Sequence, residues 1–227
     1  MKNFITTFLL FLFTISNSSS HTSHYMNLKK IEMEVFKDGK VIGYNHYFFN
    51  KEKDVITVEN KIKFKVKLFG IKVFRVEGYG IEKYQNNKLI SYESKTLQND
   101  KKKFVKLIYD SKKNKFDIKG SSYKGLADTN NVIGNWWNHQ ILQASSQISP
   151  ISGSLKEQIV TFIGKETIQL YEKKIVTDRF KLTSRDPNVP EDKKLNFDIW
   201  YDSKNAIILK ISYSRLGNWE YKVKNFE

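Results

Sequence analysis

The chain has 227 residues, 40% hydrophobic and 14% aromatic, with a net charge of +15 and no cysteine. Such a composition excludes a disordered chain, a collagen-like repeat, a disulfide framework, a thiolate metal site and a cysteine nucleophile. Its length beyond the N-terminal segment suits one domain, with a core large enough to stand without cross-links.

Residues 1–20 read as a cleavable secretory signal peptide. Lys2 opens the chain, residues 4–15 form an apolar run interrupted only by threonines, and Asn17, Ser18, Ser19 and Ser20 give a small polar exit before His21. The run is shorter than the roughly 20 residues that span a bilayer. The expectation is export to the periplasm, with no transmembrane segment in the mature chain. Residues 21–28 read as a flexible lead-in, and 29–227 as a single β-rich domain.

From residue 29 the pattern is that of strands. Ile31, Met33 and Val35 alternate with Lys30, Glu32 and Glu34. Asp38-Gly39 suits the positive-φ positions of a hairpin turn, and 41–49 returns as a second strand. In 54–67, Ile62, Phe64 and Val66 share one face, and Lys61, Lys63, Lys65 and Lys67 the other. The phase changes near Phe69-Gly70, which reads as a bulge or bend in one long strand continuing over 71–84. Asn86-Asn87 turns the chain into 89–97, and 104–109 pairs with 116–118.

Residues 120–135 are rich in Gly, Ser, Asn, Asp and Thr and read as loop. The segment 135–142 carries Trp136, Trp137 and His139 and reads as one short helix or plug. A second loop runs over 149–153. Strands resume at 158–163, turn at Gly164-Lys165, and continue over 167–171 and 174–182. After a polar loop at 185–194, strands at 195–201, 207–213 and 219–223 close a meander. Many short strands and little helix predict an all-β fold: a curved antiparallel meander forming an open barrel or a sandwich, with one short helix or loop plug around 132–148.

The positive charge favours anionic head groups, acidic polysaccharide or nucleic acid. Lys far outnumbers Arg and no nucleic-acid motif is visible, so no nucleic-acid partner is expected. The Lys61–Lys67 ladder is either a dock for anionic lipid or a solvated outer face. No catalytic signature appears, and no cofactor or metal site is expected. Trp136 and Trp137 are neighbours and cannot share one side of an element, so one packs on the sheet while the other lines a mouth. Trp200 and Tyr201 alternate in a strand, so at most one points inward.

The candidate ligand-binding residues are Trp136, Trp137, His139 and Trp200, for an amphipathic or envelope-derived ligand sheltered by the sheet. No catalytic residue is assigned. The alternatives are a hydrolase or isomerase of envelope polymer using His139, with Asp178, Asp198 or Asp202 as orienting carboxylate, and a protein–protein interaction module of the cell envelope.

Four segments carry a resemblance that covers nearly the whole chain beyond the signal. They are Phe36-Lys37-Asp38-Gly39-Lys40-Val41-Ile42-Gly43, the run Phe64 to Arg75, Asn135-Trp136-Trp137-Asn138 leading to Ile151-Ser152-Gly153-Ser154-Leu155, and Phe197-Asp198-Ile199-Trp200-Tyr201-Asp202. In their order and spacing the chain resembles an exported bacterial family known only as a domain of unknown function. That resemblance implies an all-β exported protein and no particular activity. At the level of fold it is similar to the periplasmic lipoprotein carriers, half-open β-sheets closed by helices, an analogy that implies architecture and not function.

Overall fold

The structure, a computed structural model, describes residues 25, 27–68 and 71–227. The expected signal peptide lies outside the described residues, as do Phe69 and Gly70. The strands are β1 (Lys30–Lys37), β2 (Lys40–Glu52), β3 (Val55–Leu68), β4 (Ile71–Gln85), β5 (Lys88–Gln98), β6 (Lys101–Asp110), β7 (Lys115–Gly120), β8 (Lys124–Asp128), β9 (Val132–Ile133), β10 (Ser146–Ile148), β11 (Leu155–Leu170), β12 (Lys173–Ser184), β13 (Asn196–Asp202), β14 (Ile207–Ser214) and β15 (Asn218–Phe226). They form one sheet in the order β8-β7-β6-β5-β4-β3-β2-β1-β15-β14-β13-β12-β11-β10-β9. All pairs are antiparallel except β9 with β10.

The all-β meander expected from the alternation is what forms, and it stays open, with β8 and β9 as its edges. Those edges are consecutive in the chain. Only residues 129–131 separate them, a stretch that spans no more than about 15 Å. The sheet therefore curls until its two edges nearly meet. First and last strands close the fold at its middle, with Val35 opposite Tyr221 and Met33 opposite Val223. Inward residues of both halves, among them Ile31, Met33, Val58, Leu107, Ile118, Leu182, Ile199 and Ile211, are buried in one core.

Three local readings are corrected. β3 and β4 are not one bent strand: they pair antiparallel down to Leu68 opposite Ile71, so the chain reverses between them. An apolar phase change marks a reversal as readily as a bulge, because both break the two-residue period. Conversely Gly164 is no hairpin turn. β11 runs unbroken through it to Leu170, with a register shift between Phe162 and Gly164, whose φ is +148°. The loop expected over 120–135 contains β8 and the short β9, because edge pairing accepts glycine- and asparagine-rich sequence that local pattern assigns to coil.

The segment between β9 and β10 turns into the interior as a plug. Its regular part is one 3₁₀ turn, His139–Leu142, capped by the Asn138 side chain, which accepts from the Gln140 N–H. Trp137 of the plug packs edge-on against Phe49 of β2 and Tyr84 of β4, and Trp136 against Phe197 of β13. One loop thus touches both halves of the sheet, which curve around it.

Candidate ligand-binding site

The plug is anchored by polar groups that the core would otherwise leave unpaired. Glu82 of β4 is buried, at 2% exposure, on the same inward face as Val76 and Tyr84. Its Oε1 accepts from the Asn135 amide at 2.6 Å and from the Trp137 indole at 2.8 Å, and its Oε2 from the Tyr84 hydroxyl. Among the described residues no cation pairs with it. Burial pushes its pKa up, against the three donors, which favour the ionised form. The sequence reading missed this residue. Its trace was a glutamate in phase with inward Val76 and Tyr84, with two glycines between them on that face.

Beside this anchor lies a second one. Tyr25 is buried at 2% exposure although it belongs to the expected flexible lead-in. Its hydroxyl donates to the Ala206 carbonyl at 3.0 Å, accepts from the His139 N–H at 3.1 Å and contacts the ring Nδ1 of His139. His139 is itself buried, its ring against Tyr201.

Between the plug, the inner face of β2–β5 and the β13–β15 wall is a cleft of about 220 Å³. Its floor and ceiling are neutral and polar: Asn45, Tyr47, Asn60, Ser94, Thr96 and Gln147. Gly78 and Gly80 leave the β4 part of the floor low. A Cβ at Gly80 would stand 3.1 Å from the Tyr92 hydroxyl, so the space is already shared closely. The polar groups are held in place. Asn60 Nδ2 donates to Asn45 Oδ1 at 2.6 Å, Asn45 Nδ2 to Tyr47 Oη at 2.8 Å, and Ser94 Oγ to the Pro150 carbonyl at 2.6 Å. The Tyr47 hydroxyl also accepts from the Trp136 N–H at 3.2 Å. Two donors thus occupy its oxygen, and among the described residues its own hydrogen has no acceptor, so a buried hydroxyl donor lines the cleft.

The opposite wall is aromatic. Trp136 meets Phe197 at 5.1 Å and Tyr221 at 6.5 Å between ring centres, and Phe197 meets Tyr213 at 5.3 Å. Of the four residues singled out in the sequence, Trp136 lines this cleft, while Trp137 and His139 sit behind it as anchors. Trp200 is not brought to the site. Phe197 and Tyr201 face the plug, so Trp200 lies on the other face of the sheet, where it is still buried: Lys210 lies 4.5 Å and Arg179 5.2 Å from its ring, and its indole N–H donates to Glu166. The three aspartates weighed as partners of His139 are engaged elsewhere: Asp198 with Arg179 and Lys181, Asp178 with Lys165, and Asp202 with the Lys204 and Asn205 N–H groups. Among the described residues no His, Asp or Glu cluster has the geometry to hold a metal, and no helix is long and apolar enough to cross a membrane.

A family model described as "Domain of unknown function (DUF6134)" matches residues 33–224. The chain belongs to that family. The match runs from the middle of β1 to within β15, so β2 to β14, the plug and the cleft all fall inside it. No curated protein matches the chain.

Proposed function

We propose that this family member is an exported, non-enzymatic periplasmic protein that binds an amphipathic, envelope-derived ligand inside its curled sheet. The observation that carries the reading is the cleft beneath the plug, where fixed neutral donors and acceptors face an aromatic wall. Concave sites of this kind, mostly apolar with a few oriented polar groups, are how folds hold small ligands. The volume lies below the about 300–1,000 Å³ typical of pockets for drug-sized ligands, which fits one part of an amphiphile rather than a whole one. The burial of His139 against Tyr25 favours anchoring over acid–base chemistry.

The outer surface supports a route to such ligands. Lys61, Lys63, Lys65 and Lys67 all face out and are exposed. Lys63 pairs with Glu77 and Lys61 sits over Phe48, which leaves Lys65 and Lys67 for anionic head groups, each contributing about 1 kcal/mol near such a surface. Native mass spectrometry of protein taken from its own periplasm, followed by lipid extraction, tests the reading. A released amphiphile supports it. Protein without extractable ligand, and without affinity for a fluorescent fatty acid, overturns it.

A further inference from the structure

The aromatic wall runs out of the plug cleft toward two cations that no carboxylate pairs. Lys156 of β11 is partly buried, and its ammonium donates to the Lys193 carbonyl at 3.2 Å. Arg215, in the turn between β14 and β15, donates from Nη1 to the Asp192 carbonyl at 2.9 Å. Neither side chain makes an ion pair among the described residues. Both line a second cleft of about 230 Å³, which shares Trp136, Phe197, Tyr221 and Lys156 itself with the first, so Lys156 stands where the two clefts join. Lys193 and Lys194 line it too, against Glu191 and Asp192, and Lys194 pairs with Glu191 at 3.5 Å.

Fixed on the carbonyls of one loop, the two cations bring like charge together. Burial and then the positive charge of Arg215 lower the pKa of Lys156; the Asp192 carboxylate raises it, and the Lys193 charge lowers it again. The loop thus holds a repulsion that an entering anion relieves. Donors remain for it: two ammonium hydrogens of Lys156, and the Nε and Nη2 edge of Arg215, the planar fork that suits two oxygens.

We propose that Lys156 and Arg215 receive a single anionic head group, a carboxylate or a phosphate monoester, on an amphiphile whose apolar part lies along Trp136, Phe197 and Tyr221. This rests on reading the plug cleft as an amphiphile site. The head group sits in the charged mouth, and the far end of the molecule enters the neutral floor by Asn45 and Tyr47.

The test is displacement of dansyl-undecanoate from the full exported protein by decanoate, decyl phosphate, decanol and inorganic phosphate. The expected result is displacement by decanoate and decyl phosphate at concentrations about tenfold or more below decanol, with inorganic phosphate ineffective. In the double variant Lys156→Gln, Arg215→Gln that preference for charge shrinks to about twofold or less, while decanol behaves as before. Arg215→Gln alone, at an exposed position, gives a partial loss and serves if the double variant does not fold. Equal displacement by decanol and decanoate in the unaltered protein, or an undiminished preference in the variants, overturns the head-group assignment and leaves the cleft reading intact. Displacement by inorganic phosphate as good as by decyl phosphate assigns the mouth to a free anion and overturns the amphiphile. A protein that never binds the probe overturns the cleft reading, and this inference with it.

Discussion

The Trp137 indole N–H donates to Glu82 Oε1 at 2.8 Å, and this bond ties the plug to β4. It is one of three donors on a carboxylate with no cation near, so the anchor works whether or not Glu82 is ionised. When protonated, Glu82 donates from Oε2 to the Tyr84 hydroxyl while Oε1 goes on accepting from Trp137 and Asn135.

Glu82→Gln reproduces the protonated pattern, and it is expected to keep the fold within about 1 kcal/mol. Its effect depends on pH. The folded pKa of Glu82 is raised, so the contribution of this residue is fully present below its unfolded value of about 4.3 and is lost as pH rises through the folded value. Glutamine does not titrate, so the variant gains on the unaltered protein as pH rises. Urea unfolding midpoints from pH 4 to 9 check this, and parallel curves would refute it. Glu82→Ala strands three buried donors and should cost about 3 kcal/mol or more at every pH.

The two adjacent tryptophans should separate binding from stability. Trp137 is 1% exposed and packs on Tyr25, Phe49 and Tyr84. Trp137→Ala is expected to cost about 3–5 kcal/mol. Trp136→Ala, at the partly buried wall of the cleft, is expected to cost clearly less and to weaken a fluorescent fatty acid about tenfold. Denaturant melts paired with titrations measure both, and equal stability losses would show that Trp136 is an anchor too.

Tyr25 and His139 should be coupled. Tyr25→Phe removes the hydroxyl that serves His139 and Ala206, at a cost of about 1–3 kcal/mol. His139→Ala removes the ring partner. In a double-mutant cycle the two losses should fall short of additivity by about 0.5 kcal/mol or more. Strict additivity would mean that the contact contributes nothing.

Gly120 marks where β7 meets the loop after β10. A Cβ there would stand 2.4 Å from the Ser152 carbonyl oxygen, a backbone atom that cannot swing aside. Gly120→Ala is expected to destabilise by about 1–3 kcal/mol. A thermal midpoint equal to that of the unaltered protein would show that the loop yields freely.

Strand class was legible because alternation is local. Lys61 to Lys67 could only be a strand with one basic face, and the Asp38-Gly39 and Asn86-Asn87 pairs take the positive φ values their hairpins need, at 48° and 77°, and 48° and 65°. The same local rules failed at Phe69-Gly70 and Gly164. There, which residues face each other decides between reversal and bulge, and pairing partners lie far along the chain. The split of Trp136 from Trp137 followed from adjacency alone. Glu82 and Tyr25 escaped because their roles depend on donors and acceptors on distant segments, the plug for both and Ala206 for Tyr25.

The sequence by itself determined an all-β chain, its inward and outward faces, most of its turns and the place of the plug, because side-chain alternation and turn conformation are set by neighbours. Tertiary structure decided how far the sheet curls, which tryptophan lines the cleft, that Glu82 holds the plug, and that Lys156 and Arg215 are both held on the 192–193 carbonyls beside an aromatic wall. Those are contacts between segments far apart in the chain, fixed by the burial of one shared core and the pairing of β1 with β15.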